Sequence, residues 1–144
     1  MSSYDTWHRL AGLCLVVFLM NVGCSLVGKH SEPPIELIVG NVESTDVTVV
    51  LEVTAVTKVR EEGLYSTWKI GAIVMRSFKG RLTVGEKIEY LRTMETDFAA
   101  PQIGSRHIVS FVWEGARLVI PDVGYHFEYS PSLERRLDAA LRSP

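Results

Sequence analysis

The sequence predicts a mainly β domain that follows an export signal and ends in a helix. A chain of 144 residues suits a single domain with one core. From Asp46 onward, apolar residues recur at every second position, which is the period of a half-buried strand. Near the C terminus, leucines recur instead at every fourth position, which is the spacing of an amphipathic helix.

The composition excludes two broad classes of protein. Hydrophobic residues make up 47% of the chain and charged residues 22%, which is too apolar for a disordered protein. Lys and Arg number 15 against 17 Asp and Glu, and both signs are spread along the chain. The basic surface typical of nucleic-acid-binding proteins is therefore missing, and we predict no nucleic-acid partner.

An uncharged apolar run extends from Leu10 to Val22 near the N terminus. As a helix its 13 residues would span only about 20 Å, against roughly 30 Å for the hydrocarbon core of a bilayer. His8 and Arg9 precede the run and small residues follow it, which is the pattern of a secretory signal peptide. We predict that residues 1–23 are this signal peptide.

The run ends in Asn21-Val22-Gly23-Cys24, which resembles the lipobox of bacterial lipoproteins. In such proteins a signal peptidase cleaves before a cysteine that carries acyl chains. Gly23 and Val22 fit this pattern, whereas Asn21 stands where leucine is usual. The resemblance implies lipidation at Cys24 and attachment to the membrane through the lipid anchor. Two alternatives are an uncleaved anchor with a free Cys24, and ordinary cleavage to a soluble periplasmic product.

The residues around Cys24 also predict where the protein resides. Ser25 is not the aspartate that retains such lipoproteins in the inner membrane, so the resemblance implies the outer membrane, facing the periplasm. The only other cysteine is Cys14, inside the apolar run, so the exported part has no disulfide. Residues 24–34 are predicted to be the lipidated N terminus and a short tether, because they are mostly polar and end in two prolines. Residues 35–144 are predicted to form one domain.

The domain is predicted to begin with a brief helix that starts at Ile35 and ends near Gly40-Asn41. The first strand then follows, and its alternation slips at Ala55-Val56, which predicts a β-bulge. Glu61-Glu62-Gly63 is predicted to turn the chain, since glycine tolerates a positive φ. One face of the second strand is predicted to carry Trp68, Ile70, Ala72 and Val74.

Three further strands and a helix complete the predicted domain. The third strand begins near Ile88, and residues 95–105 form a longer connection to the fourth, which is apolar on both faces and so central. The fifth strand ends before Pro121, and Ser130 is predicted to cap the C-terminal helix. Periodicity alone leaves a barrel or a sandwich open, and the strand order suits a five-stranded Greek-key barrel of the OB type.

Several strand ends carry a resemblance to a known family. Lys79-Gly80 after the second strand, Gly85 to Ile88, and Gly104 to Val109 resemble the TIMP-like or netrin-like OB-fold domains of secreted bacterial proteins. The resemblance covers roughly Glu43 to Ile120 and implies the fold. Eukaryotic members inhibit metalloproteases through a free N-terminal cysteine in a disulfide, and that arrangement has no counterpart here.

The sequence predicts no catalytic residues, no metal site and no cofactor. His107 and Ser110 lie three residues apart, which places them on opposite faces of a strand, and no nucleophile elbow surrounds the serine. His126 and Glu128 share a face of an extended segment, but a metal site normally needs three or four ligands. Trp68 suits a core position, with a role as a ligand platform as the alternative. We therefore predict a protein that is not an enzyme.

A cluster of aromatic residues near the C terminus is the predicted ligand-binding segment. It comprises Tyr125, His126, Phe127 and Tyr129. The rings of Tyr125, Phe127 and Tyr129 recur at every second position and would line one face of an extended chain. The main functional hypothesis is a non-enzymatic envelope lipoprotein with a binding or assembly role and a protein partner in the envelope. The alternatives are a periplasmic module that binds a ligand or glycan, and an enzyme inhibitor.

Overall fold

The computed structural model describes residues 32–143, so the predicted signal peptide and Cys24 lie outside the described part. The elements in chain order are α1 (Ile35–Ser44), β1 (Val47–Glu62), β2 (Tyr65–Lys79), β3 (Lys87–Glu95), β4 (Arg106–Glu114), β5 (Arg117–Val119), a 3-10 helix (Val123–Tyr125), β6 (His126–Glu128) and α2 (Pro131–Arg142). In this part of the chain, no helix has the length and apolar character that crossing a bilayer requires.

Five strands close into a mixed barrel in the order β1-β2-β3-β5-β4, with β4 returning to β1. The β1–β4 pairing is antiparallel over Val47–Glu52, whereas β3 and β5 are parallel and meet at one pair, Leu91 and Val119. This order is that of the predicted five-stranded OB-like barrel, and it confirms the fold class, including the C-terminal helix.

The strand patterns explain the inner core. The alternating apolar side chains of β1 and β2 point into the barrel and meet those of β4, among them Leu51, Ile70 and Phe111, which are fully buried. The β1–β2 register shifts between Val53 and Ala55, so the slip in alternation that the sequence shows there is a bulge. Gly63 in the turn has a φ of 57°, as the turn prediction requires.

A second core lies between the outer face of the barrel and the two helices. Its buried members are Ile38, Val42, Val50, Ile108, Leu133 and Leu137. The Ser130 hydroxyl accepts a hydrogen bond from the Leu133 N–H at 3.0 Å, which confirms the predicted cap of α2. Arg76 of β2 reaches across to α2 and donates to Glu134 at 2.7 Å and Asp138 at 2.6 Å, which fixes the helix on the sheet.

The corner between β2 and α1 is held by Lys79 and Gly80. The Lys79 ammonium donates to the carbonyls of Val42 at 2.7 Å and Glu43 at 3.1 Å, two of the carbonyls that end α1. Gly80 has a φ of 96°, and a Cβ there would lie 2.6 Å from the carbonyl oxygen of Asp46. Lys79 and Gly80, which belong to the motif that resembles the TIMP-like or netrin-like domains, thus stabilise this corner of the fold.

The structure departs from the sequence prediction at three places. Helix α1 continues past Gly40 to Ser44, because Asn41 is buried and its amide donates to the Gly124 carbonyl at 2.7 Å. Strand β6 was not predicted, since three residues carry too short a pattern. Within the predicted tether, Glu32 accepts hydrogen bonds from Ser130, Ser132 and Arg136, and therefore belongs to the folded domain.

Candidate functional site

The candidate site is a cavity of about 350 Å³ at the seam of the barrel, beyond the single pair that joins β3 to β5. Past that pair, β3 continues to Glu95 and forms one wall of the cavity. The segment from Ile120 to His126 forms the opposite wall. Arg92 lines the cavity from β3 and His126 lines it from β6. A larger cavity of about 630 Å³ lies on the other side of the pair, beside Trp113. We favour the smaller one because its lining includes Arg92, which has no ion-pair partner within residues 32–143, and the buried His126.

Arg92 is unusual because it lies on the inner face of its strand. In β3 the inner face alternates through Ile88, Tyr90, Arg92 and Met94, and the intervening residues are exposed. Burial lowers the pKa of the Arg92 guanidinium, which nevertheless stays charged in proteins. Among residues 32–143, no carboxylate forms an ion pair with it.

Two buried histidines lie near Arg92. The Nε2 atom of His126 and the Tyr90 hydroxyl form a hydrogen bond of 3.0 Å, and the ring of His107 lies 4.5 Å from that of His126. The Ser105 hydroxyl lies 2.6 Å from the Gln102 carbonyl, to which it donates, and forms a hydrogen bond of 2.8 Å with the Nε2 atom of His107.

Burial and the charge of Arg92 keep both histidines neutral. Burial, with smaller contributions from Arg92 and His107, lowers the pKa of His126 to about 2. Burial and Arg92 also lower the pKa of His107, against the opposing influence of Glu128 and the Phe127 backbone. The Phe127 carbonyl favours a protonated His107, yet the Nδ1 atom of His107 makes no hydrogen bond within the described residues. The histidines thus add no positive charge at neutral pH.

The second unpartnered buried atom in residues 32–143 is the indole Nε1 of Trp68. Trp68 lies directly opposite Arg92 in the β2–β3 register, so both side chains project from the same face. The Lys58 ammonium lies 5.1 Å from the centre of the Trp68 ring and also bonds Glu61. The Lys58 ammonium therefore lies over one face of the Trp68 indole ring.

Of the four predicted ligand-binding residues, the structure places only His126 at this cavity. Phe127 and Tyr129 pack against the second core, and the Tyr129 hydroxyl donates to Glu134 at 2.7 Å. Tyr125 ends the 3-10 helix and is half-buried, so the three tyrosine and phenylalanine rings do not continue one extended strand face. Cys24, the predicted lipidation site, lies outside the described residues.

The remaining candidates from the sequence are held apart. The Ser110 hydroxyl pairs with that of Thr48 at 2.8 Å, on the other side of β4 from His107, as the spacing predicts. Glu128 is exposed while His126 is buried. Within residues 32–143, no three His, Cys, Asp or Glu side chains cluster as a metal site would require.

Sequence reasoning missed Arg92 and the pairing of His107 with His126. Arg92 falls in register with Ile88 and Tyr90, and that phase is a signal the sequence did contain. The histidine pair has no such signal, because His126 reaches His107 only through the unpredicted strand β6.

Burial of the neutral histidines makes the fold sensitive to mild acid. We expect the free energy of unfolding to fall as the pH drops from about 6.5 towards 5, by up to about 1.4 kcal/mol per pH unit for each histidine that titrates only when unfolded. In the unfolded chain His126 has the ordinary histidine pKa of 6.5, whereas in the folded protein its pKa is much lower. Its contribution is therefore complete above pH 6.5 and is lost as the pH falls. Urea unfolding across this range measures the slope.

A His126→Gln variant is the control for this pH dependence. Its slope should be shallower than that of the wild-type protein, because Gln has no proton to bind. An unchanged slope would show that His126 does not cause the acid sensitivity. Arg92 and Tyr90 of β3 and His107 of β4 are the ionisable groups that influence or contact the His126 ring.

No protein-family model matches the chain, and no curated protein matches its sequence.

Proposed function

We propose that the chain is a non-enzymatic lipoprotein of the cell envelope, anchored in the outer membrane through Cys24, whose barrel binds a partner in the periplasm. Cys24 carries the proposal. It follows an apolar run that is too short to span a bilayer, directly after Gly23, and residues 25–144 contain no other cysteine. Two or three acyl chains on this residue would give stable attachment where one gives only marginal binding.

Exposed apolar side chains support the binding role. Leu64 and Tyr65 at the β1–β2 turn are 74% and 54% exposed, and Phe98 in the loop after β3 is 64% exposed. The Thr96 N–H donates to the Leu64 carbonyl at 2.8 Å, so this loop lies against the turn. Apolar groups exposed together favour contact with another protein, here one of the envelope.

A second candidate function is a periplasmic ligand-binding module, and the cavity beside Arg92 and His126 favours it. The relationship to TIMP-like or netrin-like domains is likewise a proposal, supported by the OB-like strand order. Because that fold hosts many functions, the order supports no inhibitory activity by itself.

The test of the anchoring is palmitate incorporation in a Gram-negative host. The wild-type chain should take up radiolabelled palmitate and fractionate with the outer membrane. Cys24→Ala should take up none and accumulate as an uncleaved precursor, because no thiol remains for the acyl transfer.

Cys14→Ala is the matched control. This cysteine lies inside the apolar run, so its loss should leave labelling and fractionation unchanged. A wild-type chain without label, or a Cys24→Ala protein that matures normally, would contradict the lipoprotein proposal and return the chain to a soluble periplasmic or signal-anchored protein.

A further inference from the structure

The hydrogen bonds of β3 to β2 fall on every second residue of β3. Before the strand begins, the Val74 N–H donates to the Glu86 carbonyl at 2.9 Å. After it ends, the Thr96 N–H donates to the Leu64 carbonyl at 2.8 Å. The ladder between these two bonds has no register shift, so the even-numbered residues of β3 bond to β2. The odd-numbered residues direct their main-chain N–H and C=O groups to the other edge of the strand.

That other edge is open at Lys87 and Glu89. Leu91 is the next odd-numbered residue, and it pairs with Val119 of β5 in the one pair that joins these strands. Within residues 32–143, no strand pairs with this edge of β3 before Leu91. Lys87 and Glu89 therefore present two donors and two acceptors at the spacing of a strand.

The larger cavity, of about 630 Å³, lies against this open edge. Its lining includes all residues of β3 from Lys87 to Leu91, and the β4–β5 turn on the other side. Leu82 and Leu118 of the inner core also line it, together with the half-buried Trp113. The Arg81 guanidinium lies 4.1 Å from the centre of the Trp113 ring, which helps to hold that ring in place. An apolar surface thus adjoins the unpaired main-chain groups.

We infer that an extended peptide segment of a partner protein binds in the larger cavity by adding a strand to β3 at Lys87 and Glu89. A peptide main chain offers donors and acceptors in the alternation that these two residues require. Every second side chain of the segment would point towards Leu82, Leu118 and Trp113, so an apolar residue is expected there. The distance from Lys87 to Leu91 is about 13 Å along the strand, which is enough for about four residues.

The charges of the lining favour a neutral polar main chain over an ionic ligand. The acidic and basic side chains are equal in number, namely Lys69, Lys87, Arg117, Glu86, Glu89 and Glu114. Lys69 pairs with Glu89 at 3.3 Å, and Arg117 pairs with Glu114 at 3.7 Å. A Glu86 carboxylate oxygen accepts from the Thr83 N–H at 3.0 Å. The cavity therefore has no excess charge that would select an anion or a cation.

The inference rests on the proposed binding role of the barrel and not on acylation. The site is built from residues of the folded domain, so failure of the Cys24 experiment would leave it standing. Conversely, an acylated chain whose cavity takes no peptide would retain the anchoring proposal and lose this one.

Amide hydrogen exchange of the full chain in detergent, followed by NMR, tests the open edge. The amides of Lys87 and Glu89 should exchange at least about tenfold faster than those of Ile88 and Tyr90, which bond to β2. These neighbours are the matched controls, because they lie in the same strand. Slow exchange at Lys87 and Glu89 in the free chain would mean that the edge is already paired, and would overturn the inference.

The probe for binding is a library of short random peptides displayed on phage and selected on the full chain. We expect the enriched peptides to alternate polar and apolar residues. The tightest of them, made synthetically, should shift the amide signals of Lys87 and Glu89 and slow their exchange at least about tenfold. A library that yields no binder, or a binder that leaves these two amides unchanged, would overturn the inference.

Glu89→Pro removes one N–H from the open edge, and Glu89→Ala is its matched control. Proline is tolerated in a strand where its nitrogen faces an unpaired edge. We expect Glu89→Pro to raise the dissociation constant of the selected peptide about tenfold. Glu89→Ala also removes the carboxylate but keeps the N–H, so it should change the constant less than about twofold. Equal effects of the two variants would overturn the inference.

N-methylation of the selected peptide, one residue at a time, gives the same test without altering the chain. It decides the question if Glu89→Pro does not fold. We expect a loss of affinity of about tenfold at two positions that are two residues apart, because these N–H groups would donate to the carbonyls of Lys87 and Glu89. A peptide that tolerates N-methylation at every position does not bind as a strand, which would contradict the inference.

Discussion

Gly80→Ala should destabilise the domain by about 3 kcal/mol, since two costs combine at this position. The φ of 96° lies in the region that residues with a side chain rarely adopt. A Cβ would also lie 2.6 Å from the carbonyl oxygen of Asp46 and 2.8 Å from a methyl group of Val47. Both contacts belong to the start of β1, so relief of the clash would move the strand that pairs with β2 and β4. Urea unfolding measures the loss.

Gly85→Ala separates the two costs. Gly85 has a φ of 88°, close to that of Gly80, but nothing lies within 4 Å of a Cβ built there. This variant should lose only about 1 kcal/mol, from the backbone alone. Equal losses at the two positions would show that the close approach of β2 to β1 contributes nothing.

Leu137→Ala should cost about 3 kcal/mol, the usual range for a leucine whose removal leaves a cavity in a core. Leu137 is fully buried between α2 and the outer face of the barrel, together with Ile108 of β4. Its loss would weaken the packing of the helical layer on the sheet. Chemical denaturation followed by circular dichroism gives the difference from the wild-type protein.

Leu141→Ala is the matched control, because it makes the same chemical change one turn later in the same helix. Leu141 is 37% exposed, and the helix propensities of Leu and Ala differ little. A loss below about 1 kcal/mol is expected. A control that loses as much as Leu137→Ala would indicate that the helix itself, and not its buried face, is sensitive to substitution.

The barrel strands could be predicted because each carries its own alternation. Leu51 and Val53 face the core with the period of a strand, and the bulge after Val53 appears in the sequence as a slip of that period. The cap of α2 was predictable for a similar reason, since Ser130 precedes Pro131 and a run of spaced leucines. The local sequence suffices for these elements.

The elements that depend on distant partners could not be predicted. Strand β6 exists because His126–Glu128 pairs with β4, which lies about 20 residues earlier in the chain. The second half of α1 depends on Asn41 bonding Gly124 and on Lys79 capping the helix. The alternation of β3 in the sequence predicts which face of the strand carries Arg92. The lack of a carboxylate beside Arg92 within residues 32–143 depends on the packing of the other strands and could not be predicted from the sequence.

The second half of β1 also bears on how the domain avoids self-association. From Ala55 to Glu62 this strand pairs with β2 along one edge, while its pairing with β4 ends at Glu52, so within the described residues its other edge is open. An open edge is a template for intermolecular strand addition and aggregation. Charged side chains populate this stretch, namely Lys58, Arg60, Glu61 and Glu62, and the register shifts twice, after Val53 and after Lys58. Charge and bulges of this kind oppose the flat, continuous pairing that aggregation needs, so the domain can extend a long hairpin into solvent without recruiting a second copy along that edge.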